Sequence, residues 1–203
     1  MKNKPFEDIV TNWEVLEESN LHYRYFFDYY PLSQWNSFPL SNDDWETRFM
    51  IWAFKGGSYT NSKGITFTYK WALDRMLYVI NYRINKMFRY KTSNLYLFFV
   101  PCSKKEEYEN RYKILSELLC GATKINNTYG HIKYLRNTCA KNKSSKVVDI
   151  SHIDFGNDDY YKGKNILLFD DVITSGNTMK TYASKLESLG ANVIGCMAIC
   201  KSV

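Results

Sequence analysis

The chain has no long hydrophobic run and no apolar stretch near its N-terminus, so we expect neither a membrane protein nor a secreted one. Its most apolar stretch, Leu95–Val100, is far too short to cross a bilayer. The N-terminus runs from Met-Lys-Asn-Lys-Pro into acidic sequence, without the apolar segment that a signal peptide needs. We therefore expect a cytoplasmic protein without membrane contact.

Paired cysteines are also lacking. The five cysteines are odd in number and form no Cys-x-x-Cys pair, and the three histidines are not spaced to complete a zinc site. Reduced thiols of a cytoplasmic protein explain the cysteines better than disulfides do. Cys196 and Cys200 lie four residues apart on a predicted strand, so both should face one layer of the core. No protein-held metal is expected.

The familiar nucleotide-binding glycine motifs are missing as well. Neither G-x-x-x-x-G-K-[ST] nor G-x-G-x-x-G occurs, which argues against a P-loop or a Rossmann dinucleotide site. The net charge of +6 suits an anionic ligand, but no nucleic-acid module is visible, so specific nucleic-acid binding is not expected. A length of 203 residues fits one domain, residues 1–203, with a sizeable core.

Hydrophobic patterning predicts alternating strands and helices in the second half. Strands are expected at 95–100, 166–169 and 193–198, with another in 132–135, and helices around 112–119 and 178–189. Gly190 stands where a helix C-cap is expected. This alternation favours an α/β fold whose parallel central sheet has helices on its faces. In the first half we expect helices at 43–54 and 66–87, and one or two short helices with irregular structure over 1–45.

The strand predicted at 166–169 leads into the most informative segment. Two adjacent acids, Asp170 and Asp171, end the apolar run, and a small turn and a predicted helix follow. Backbone N–H groups of such a turn, with the helix dipole, form an anion site, and Gly176 permits close approach of the backbone. Acids beside it can accept sugar hydroxyls or hold a phosphate-bound metal. Capping of the helix by one acid, with the other solvated, is the alternative. The pattern favours a phosphorylated sugar, held at the turn by Thr174, Ser175, Gly176, Asn177 and Thr178.

A second strand end carries a similar turn. The predicted strand at 95–100 leads through Pro101 into a short polar segment with two lysines, and then into a helix. A lysine pair is usually a solvated surface feature, but at a strand end of the same sheet it can meet the other end of the ligand. This second turn, Pro101–Lys105, is therefore suited to the other end of the same ligand.

The segment Ile166–Thr178 resembles the phosphoribosyl-pyrophosphate (PRPP) motif of type I phosphoribosyltransferases. The resemblance implies that Asp170 and Asp171 are catalytic and hydrogen-bond two ribose hydroxyls, and that the 174–178 turn holds the phosphate. It implies further that Cys102, Ser103, Lys104 and Lys105, in the loop after the first core strand, contact the pyrophosphate. It also implies a type I phosphoribosyltransferase-like fold, with residues 91–203 as the PRPP-binding core and a small hood from residues 1–90. Mg²⁺ carried by PRPP is the implied cofactor.

Further landmarks resemble the ComF-like branch of that family. They cover residues 45–203 and comprise 51–57, Val100-Pro, 109–112, 134–138 and 161–166. They imply additional ligand contacts by Lys55, Arg111 and Arg136. ComF-like proteins often begin with a cysteine-rich zinc module, whereas this chain has no cysteine before Cys102, so a zinc-dependent role is not transferred.

The implied function is phosphoribosyl transfer from PRPP to an acceptor, expected to be a nitrogenous base, with release of pyrophosphate. A loop within 137–165 could close over the site and exclude water. Two alternatives stay open: a non-catalytic sensor of PRPP or a nucleotide, and a competence-related DNA-associated protein. The sequence identifies neither the acceptor nor the oligomeric state, for which a homodimer is one option.

Overall fold

The computed structural model describes residues 6–31, 39–138, 148–156 and 158–203. Within these ranges the helices are α1 (Glu7–Val10), α2 (Asn42–Phe54), α3 (Tyr69–Met87), α4 (Lys105–Thr123) and α5 (Asn177–Ser188). The strands are β1 (Glu14–Val15), β2 (His22–Tyr29), β3 (Tyr59–Thr60), β4 (Thr66–Phe67), β5 (Leu95–Phe99), β6 (Asn126–Asn127), β7 (Lys133–Tyr134), β8 (Ile153–Asp154), β9 (Asn165–Ile173) and β10 (Asn192–Ser202).

A six-stranded, mostly parallel sheet forms the centre of the molecule, in the order β1-β2-β10-β9-β5-β6. The β1–β2 pairing is antiparallel and the other pairings are parallel. Its inner strands are continuous apolar runs, as expected for parallel strands covered by helices on both faces. Phe169 in β9 pairs with Phe99 in β5, and both are fully buried. The α/β fold with a parallel sheet and flanking helices is therefore confirmed.

The predicted helices are present with small changes at their ends. A reciprocal capping box between Ser41 and Asp44 starts α2. The predicted 66–87 helix begins at Tyr69, because residues 66–67 pair with β3 as the short strand β4. Helix α4 passes Gly121 and ends at Thr123, where Lys124 adopts a left-handed conformation. The C-cap of α5 is Leu189, one residue before the expected Gly190, which follows it in the left-handed conformation with a φ of +81°.

Three expectations about the strands need correction. Residues 22–29 form β2, a strand beside β10, where short helices and irregular structure were expected. The strand expected in 132–135 shrinks to β7, which pairs antiparallel with β8 outside the main sheet. Strand β9 continues through the two acids to Ile173, so the acids lie within the strand and do not follow it.

Two remaining expectations concern the loop and the membrane. The loop expected to close over the site includes residues 139–147 and 157, which lie outside the described residues. Of the helices described, none is long and apolar enough to span a bilayer.

Candidate active site

Two turns meet at one edge of the central sheet. Strands β5 and β9 are parallel neighbours, so their carboxyl ends point the same way. After β9 the chain turns through residues 174–176 into α5, and after β5 it turns through residues 100–104 into α4. Ligand sites of open α/β sheets lie outside the carboxyl ends of the strands. A ligand site is therefore expected at this edge of the sheet.

Asp170 is a carboxylate held by two donors near the end of β9. Its Oδ1 accepts hydrogen bonds from the Tyr112 hydroxyl at 3.1 Å and from the Asp171 backbone N–H at 2.8 Å. Burial, followed by the adjacent Asp171 carboxylate, raises the pKa of Asp170 well above its usual range. A cation or a hydrogen-bond donor arriving here would therefore be stabilised.

Asp171 is almost fully buried and is held by two cations. Its Oδ1 lies 3.1 Å from the Lys55 ammonium, and its Oδ2 accepts a hydrogen bond from Arg111 at 3.2 Å. Arg111 also contacts Glu107 of its own helix at 3.4 Å, while its buried Nε has no partner among the described residues. Lys55 ends α2 and Arg111 lies on α4, so two separate elements bring positive charge to the acid pair.

The turn after β9 is open toward solvent and ends in a glycine. Thr174 and Ser175 are exposed, and Gly176 is the N-cap of α5 with a φ of +74°. No side chain caps the helix from that position. A Cβ on Gly176 would lie 2.6 Å from a Leu16 methyl carbon, so this backbone position has no room for a side chain. The turn thus presents a helix N-terminus beside the acid pair, which suits an anion.

The turn after β5 is held by a neighbouring segment of the same chain. The Tyr134 hydroxyl donates to the Cys102 carbonyl at 3.0 Å, and the Thr138 N–H donates to the Ser103 carbonyl at 2.9 Å. The Asn137 side-chain oxygen accepts from the Lys105 backbone N–H at 3.0 Å, so it occupies a donor at the start of α4. This turn is anchored, and part of its anion-binding capacity is already used.

The side chains of this turn are poorly suited to covalent chemistry. Lys104 lies 3.5 Å from Glu107 and Lys105 lies 3.6 Å from Glu109, and both lysines are more than half exposed. Burial raises the pKa of the Cys102 thiol to about 12, so it stays protonated at neutral pH and is a weak nucleophile. The lysines can add positive potential but do not converge on a single point.

The residues named from the sequence divide into two groups. Lys55 and Arg111 contact Asp171 directly. Arg136 does not reach the acid pair in this structure, because its guanidinium donates to Ser151 at 2.7 Å and lies 3.9 Å from Asp149.

Three residues of this edge escaped the sequence reasoning. Tyr112, Leu16 and Asn137 contact Asp170, Gly176 and the start of α4 respectively. Tyr112 and Asn137 left a signal, because they directly follow Arg111 and Arg136 in the 109–112 and 134–138 landmarks.

Comparisons with known proteins bear on the same segment. A family model described as the phosphoribosyl transferase domain matches residues 103–202, which include the acid pair and the β9 turn. No curated protein sequence matches the chain.

Among solved structures, an adenine phosphoribosyltransferase is similar over 75% of this chain and 89% of its own, with 13% identity and a TM-score of 0.45. UMP synthase from Leishmania donovani is similar over 77% of this chain, with 14% identity and a TM-score of 0.40. The chain spans only 31% of that enzyme's length. A hypoxanthine phosphoribosyltransferase from Staphylococcus aureus is similar over 63% of this chain and 61% of its own, with 14% identity and a TM-score of 0.37.

Proposed function

We propose that this chain is a phosphoribosyltransferase that binds PRPP with Mg²⁺ and transfers its phosphoribosyl group to an acceptor, releasing pyrophosphate. The observation that carries the proposal is the placement of Asp170 and Asp171 directly before the open turn and helix N-terminus of residues 174–178. The match of residues 103–202 to the phosphoribosyl transferase domain supports it.

The phosphate of the ribose is assigned to the β9 turn. Backbone N–H groups at the start of α5 point along the helix axis toward the turn, and the helix dipole adds positive potential there. The exposed hydroxyls of Thr174 and Ser175 can donate to phosphate oxygens. Asn177 and Thr178 complete this proposed contact set in the first turn of α5.

The ribose hydroxyls are assigned to the two acids. Ionised carboxylates accept hydrogen bonds only, so Asp170 and Asp171 are matched to hydroxyl donors. Tyr112 orients the Asp170 carboxylate, while Lys55 and Arg111 orient that of Asp171. Because these partners hold both carboxylates before the ligand arrives, the sugar meets oriented acceptors.

The leaving pyrophosphate is assigned to the β5 side of the edge. Negative charge grows on it as its bond to the ribose lengthens, and nearby cations stabilise that charge. Lys104 and Lys105 are the proposed sources on the β5 turn, together with the backbone of Cys102 and Ser103. Arg111, which contacts Asp171, is proposed as a further source of positive charge.

A Mg²⁺ ion fits this set of side chains as part of the substrate. Mg²⁺ favours oxygen ligands and is usually held by one or two carboxylates, phosphate oxygens and water. Within the described ranges, no group of three or more metal-ligating side chains surrounds one point, so PRPP and water would supply the other ligands. When bound, the ion neutralises charge on the pyrophosphate.

Binding of the acceptor concerns another part of the chain. We assign it to a hood contributed by residues 1–90, in keeping with the ComF-like branch, while residues 91–203 hold PRPP. Lys55 supports this arrangement, because it comes from α2 and contacts Asp171 of β9. We propose Arg136 only as a contact that requires movement of its segment.

Calorimetry and a turnover assay test the proposal separately. We expect Mg²⁺–PRPP to bind the parent protein and pyrophosphate to be released with one of a panel of purine and pyrimidine bases. The double variant Asp170→Asn/Asp171→Asn should lose binding and release while its circular dichroism stays native. Glu117→Gln, an exposed change elsewhere on α4, is the control. Undiminished PRPP binding by the double variant would refute the site, and binding without release for every base would indicate a sensor.

A further inference from the structure

Two adjoining cavities lie at the carboxyl end of α3, and neither is lined by a residue of the site above. One has a volume of about 470 Å³ and lies between α1, β2 and α3. The other, of about 560 Å³, is a shallow concavity along α3. Lys86 and Arg89 line both, so the two form one continuous surface.

Positive charge converges on the first cavity from two elements. Its four cations are Arg24 from β2 and Arg83, Lys86 and Arg89 from the end of α3 and beyond. The one acid in its lining is Asp8, and in the described part of the chain none of the four cations forms an ion pair. The cavity is therefore suited to an anion.

Exposed tyrosines line the second cavity. Tyr78 is 77% exposed, Tyr82 56% and Tyr90 79%, so the rings stand in solvent and are not part of the core. The Lys86 ammonium lies 5.7 Å from the centre of the Tyr82 ring, which joins the aromatic part to the cationic part. Exposed rings beside cations form the kind of surface on which planar bases stack.

The backbone after α3 adopts an uncommon conformation at the same place. Arg89 has a φ of +49° and Tyr90 a φ of +61°, so two consecutive residues with large side chains are left-handed. Such positions are costly and tend to occur at functional sites. The helix dipole accounts for cations at the end of α3. It accounts neither for Arg24 on a separate strand nor for the three tyrosines.

We infer that the α3 cation–tyrosine surface, formed by Arg24, Arg83, Lys86, Arg89, Tyr78, Tyr82 and Tyr90, binds the phosphate-and-base unit of a nucleotide. The cations take the phosphate and the tyrosines stack with the base. Either a free mononucleotide or a nucleotide unit of single-stranded nucleic acid supplies this chemistry. None of these residues is among those assigned to PRPP, so this surface is distinct from the proposed PRPP site.

Calorimetric titrations with AMP, inorganic phosphate and a short oligoadenylate test the inference. They are made in the Asp170→Asn/Asp171→Asn background, so that binding at the transferase site does not contribute. We expect AMP or the oligoadenylate to bind, and inorganic phosphate to bind more weakly. Arg83→Gln with Arg89→Gln should weaken binding by about tenfold for each lost cation. The matched control is Arg75→Gln, which removes an α3 arginine that pairs with Glu46 outside both cavities.

A second pair of variants tests the aromatic half. Tyr82→Ala should weaken binding about tenfold, whereas Tyr82→Phe should retain it, because the ring and not the hydroxyl stacks with the base. Mononucleotide binding that responds to these changes identifies a small-molecule site, and binding of the oligoadenylate alone identifies single strands as the source. The inference is wrong if neither probe binds, or if both bind the arginine variant as tightly as the control.

Discussion

The turns after β9 and β5 lie at the same sheet edge, yet they differ in what occupies their backbone donors. At the β9 turn the helix N-cap is Gly176, no side chain caps α5 from there, and the exposed Ser175 hydroxyl accepts from the Asn177 N–H only over 3.5 Å. At the β5 turn, Asn137 accepts from the Lys105 N–H and Thr138 holds the Ser103 carbonyl. The first turn is the more open to an anion, because its own-chain hydrogen bond is long, and the second is more firmly satisfied by its own chain.

The charged side chains near the two turns also differ in how firmly they are held. Asp171 of β9 pairs at close range with Lys55 and Arg111, which come from other elements. The lysines of the β5 turn pair instead with glutamates one turn further along their own helix, and they are largely exposed. Exposed pairs of this kind contribute little energy. The β9 turn should therefore dominate the affinity for PRPP, and the following experiments test that ranking.

The largest effect is expected at Gly176. In Gly176→Ala, the added methyl group meets Leu16 in a left-handed position, so we expect a loss of about 1–2 kcal/mol in the free energy of unfolding. The strained turn should also bind PRPP at least tenfold more weakly, because the backbone donors shift. Urea denaturation and calorimetry measure the two effects.

Gly190→Ala provides the matched control. Gly190 has a φ of +81°, and a Cβ there would lie 3.3 Å from a Lys162 side-chain carbon, away from the acid pair. It should therefore cost similar stability but leave PRPP affinity unchanged. If both alanine variants lose affinity equally, the loss reflects strain in general, and the β9 turn has no special role.

The next effect concerns the pH dependence conferred by Asp170. Burial and Asp171 raise the pKa of this carboxyl in the folded state, so the folded protein binds its proton more tightly than the unfolded chain does. The free energy of unfolding should fall as pH rises from about 4, the unfolded pKa, to the raised folded pKa.

Asp170→Asn should remove that slope, since asparagine can still accept from Tyr112 but carries no charge beside Asp171. The variant should then be more stable than the parent at neutral pH while binding PRPP more weakly. Urea denaturation across this pH range compares the two proteins. If the free energies of unfolding of the two proteins change with pH in parallel, the surroundings of Asp170 do not raise its pKa.

The two turns also differ in how well the sequence predicted them. The β9 turn was predictable because its acids, turn and helix are contiguous, and a strand delivers them to one point. The partners of its acids were harder to find: Lys55 and Arg111 lie 116 and 60 residues away from Asp171 in the chain. The resemblance named them, whereas local patterning did not.

The contacts of the β5 turn had no local signal. Asn137 reaches α4 from a segment whose periodicity is too short to predict, and Leu16 reaches Gly176 from residues that looked irregular. Strand β2 was missed for a related reason. Its aromatic run, Tyr23-Arg-Tyr-Phe-Phe, does not alternate cleanly, and it becomes a strand because β10 offers a parallel partner.

A smaller effect is expected from the lysines of the β5 turn. Lys104→Gln with Lys105→Gln should weaken PRPP binding about threefold to tenfold, and less at high salt, because both ammonium groups are exposed and screened. Lys113→Gln, another exposed α4 lysine, is the control for net charge. A loss of PRPP affinity greater than about a hundredfold would show that the β5 turn contributes as much to binding as the β9 turn.

The smallest effect is expected at Asn137. Two variants test whether its side chain only occupies the Lys105 N–H or itself contacts the ligand. Asn137→Ala removes the oxygen that caps the start of α4, so unfolding should become easier by about 0.5–1 kcal/mol. PRPP affinity should stay equal or rise, because the Lys105 N–H becomes available to the pyrophosphate. Asn137→Asp keeps the acceptor and adds a negative charge, which suits the helix N-terminus but repels pyrophosphate. It also loses the hydrogen bond that the Asn137 amide donates to Glu106 at 3.3 Å, so we expect no gain in stability over the parent and a loss of affinity. Calorimetry with PRPP decides between these roles. If Asn137→Ala weakens binding and Asn137→Asp does not, Asn137 is a ligand contact. The β5 turn would then contribute to PRPP binding in the same way as the β9 turn.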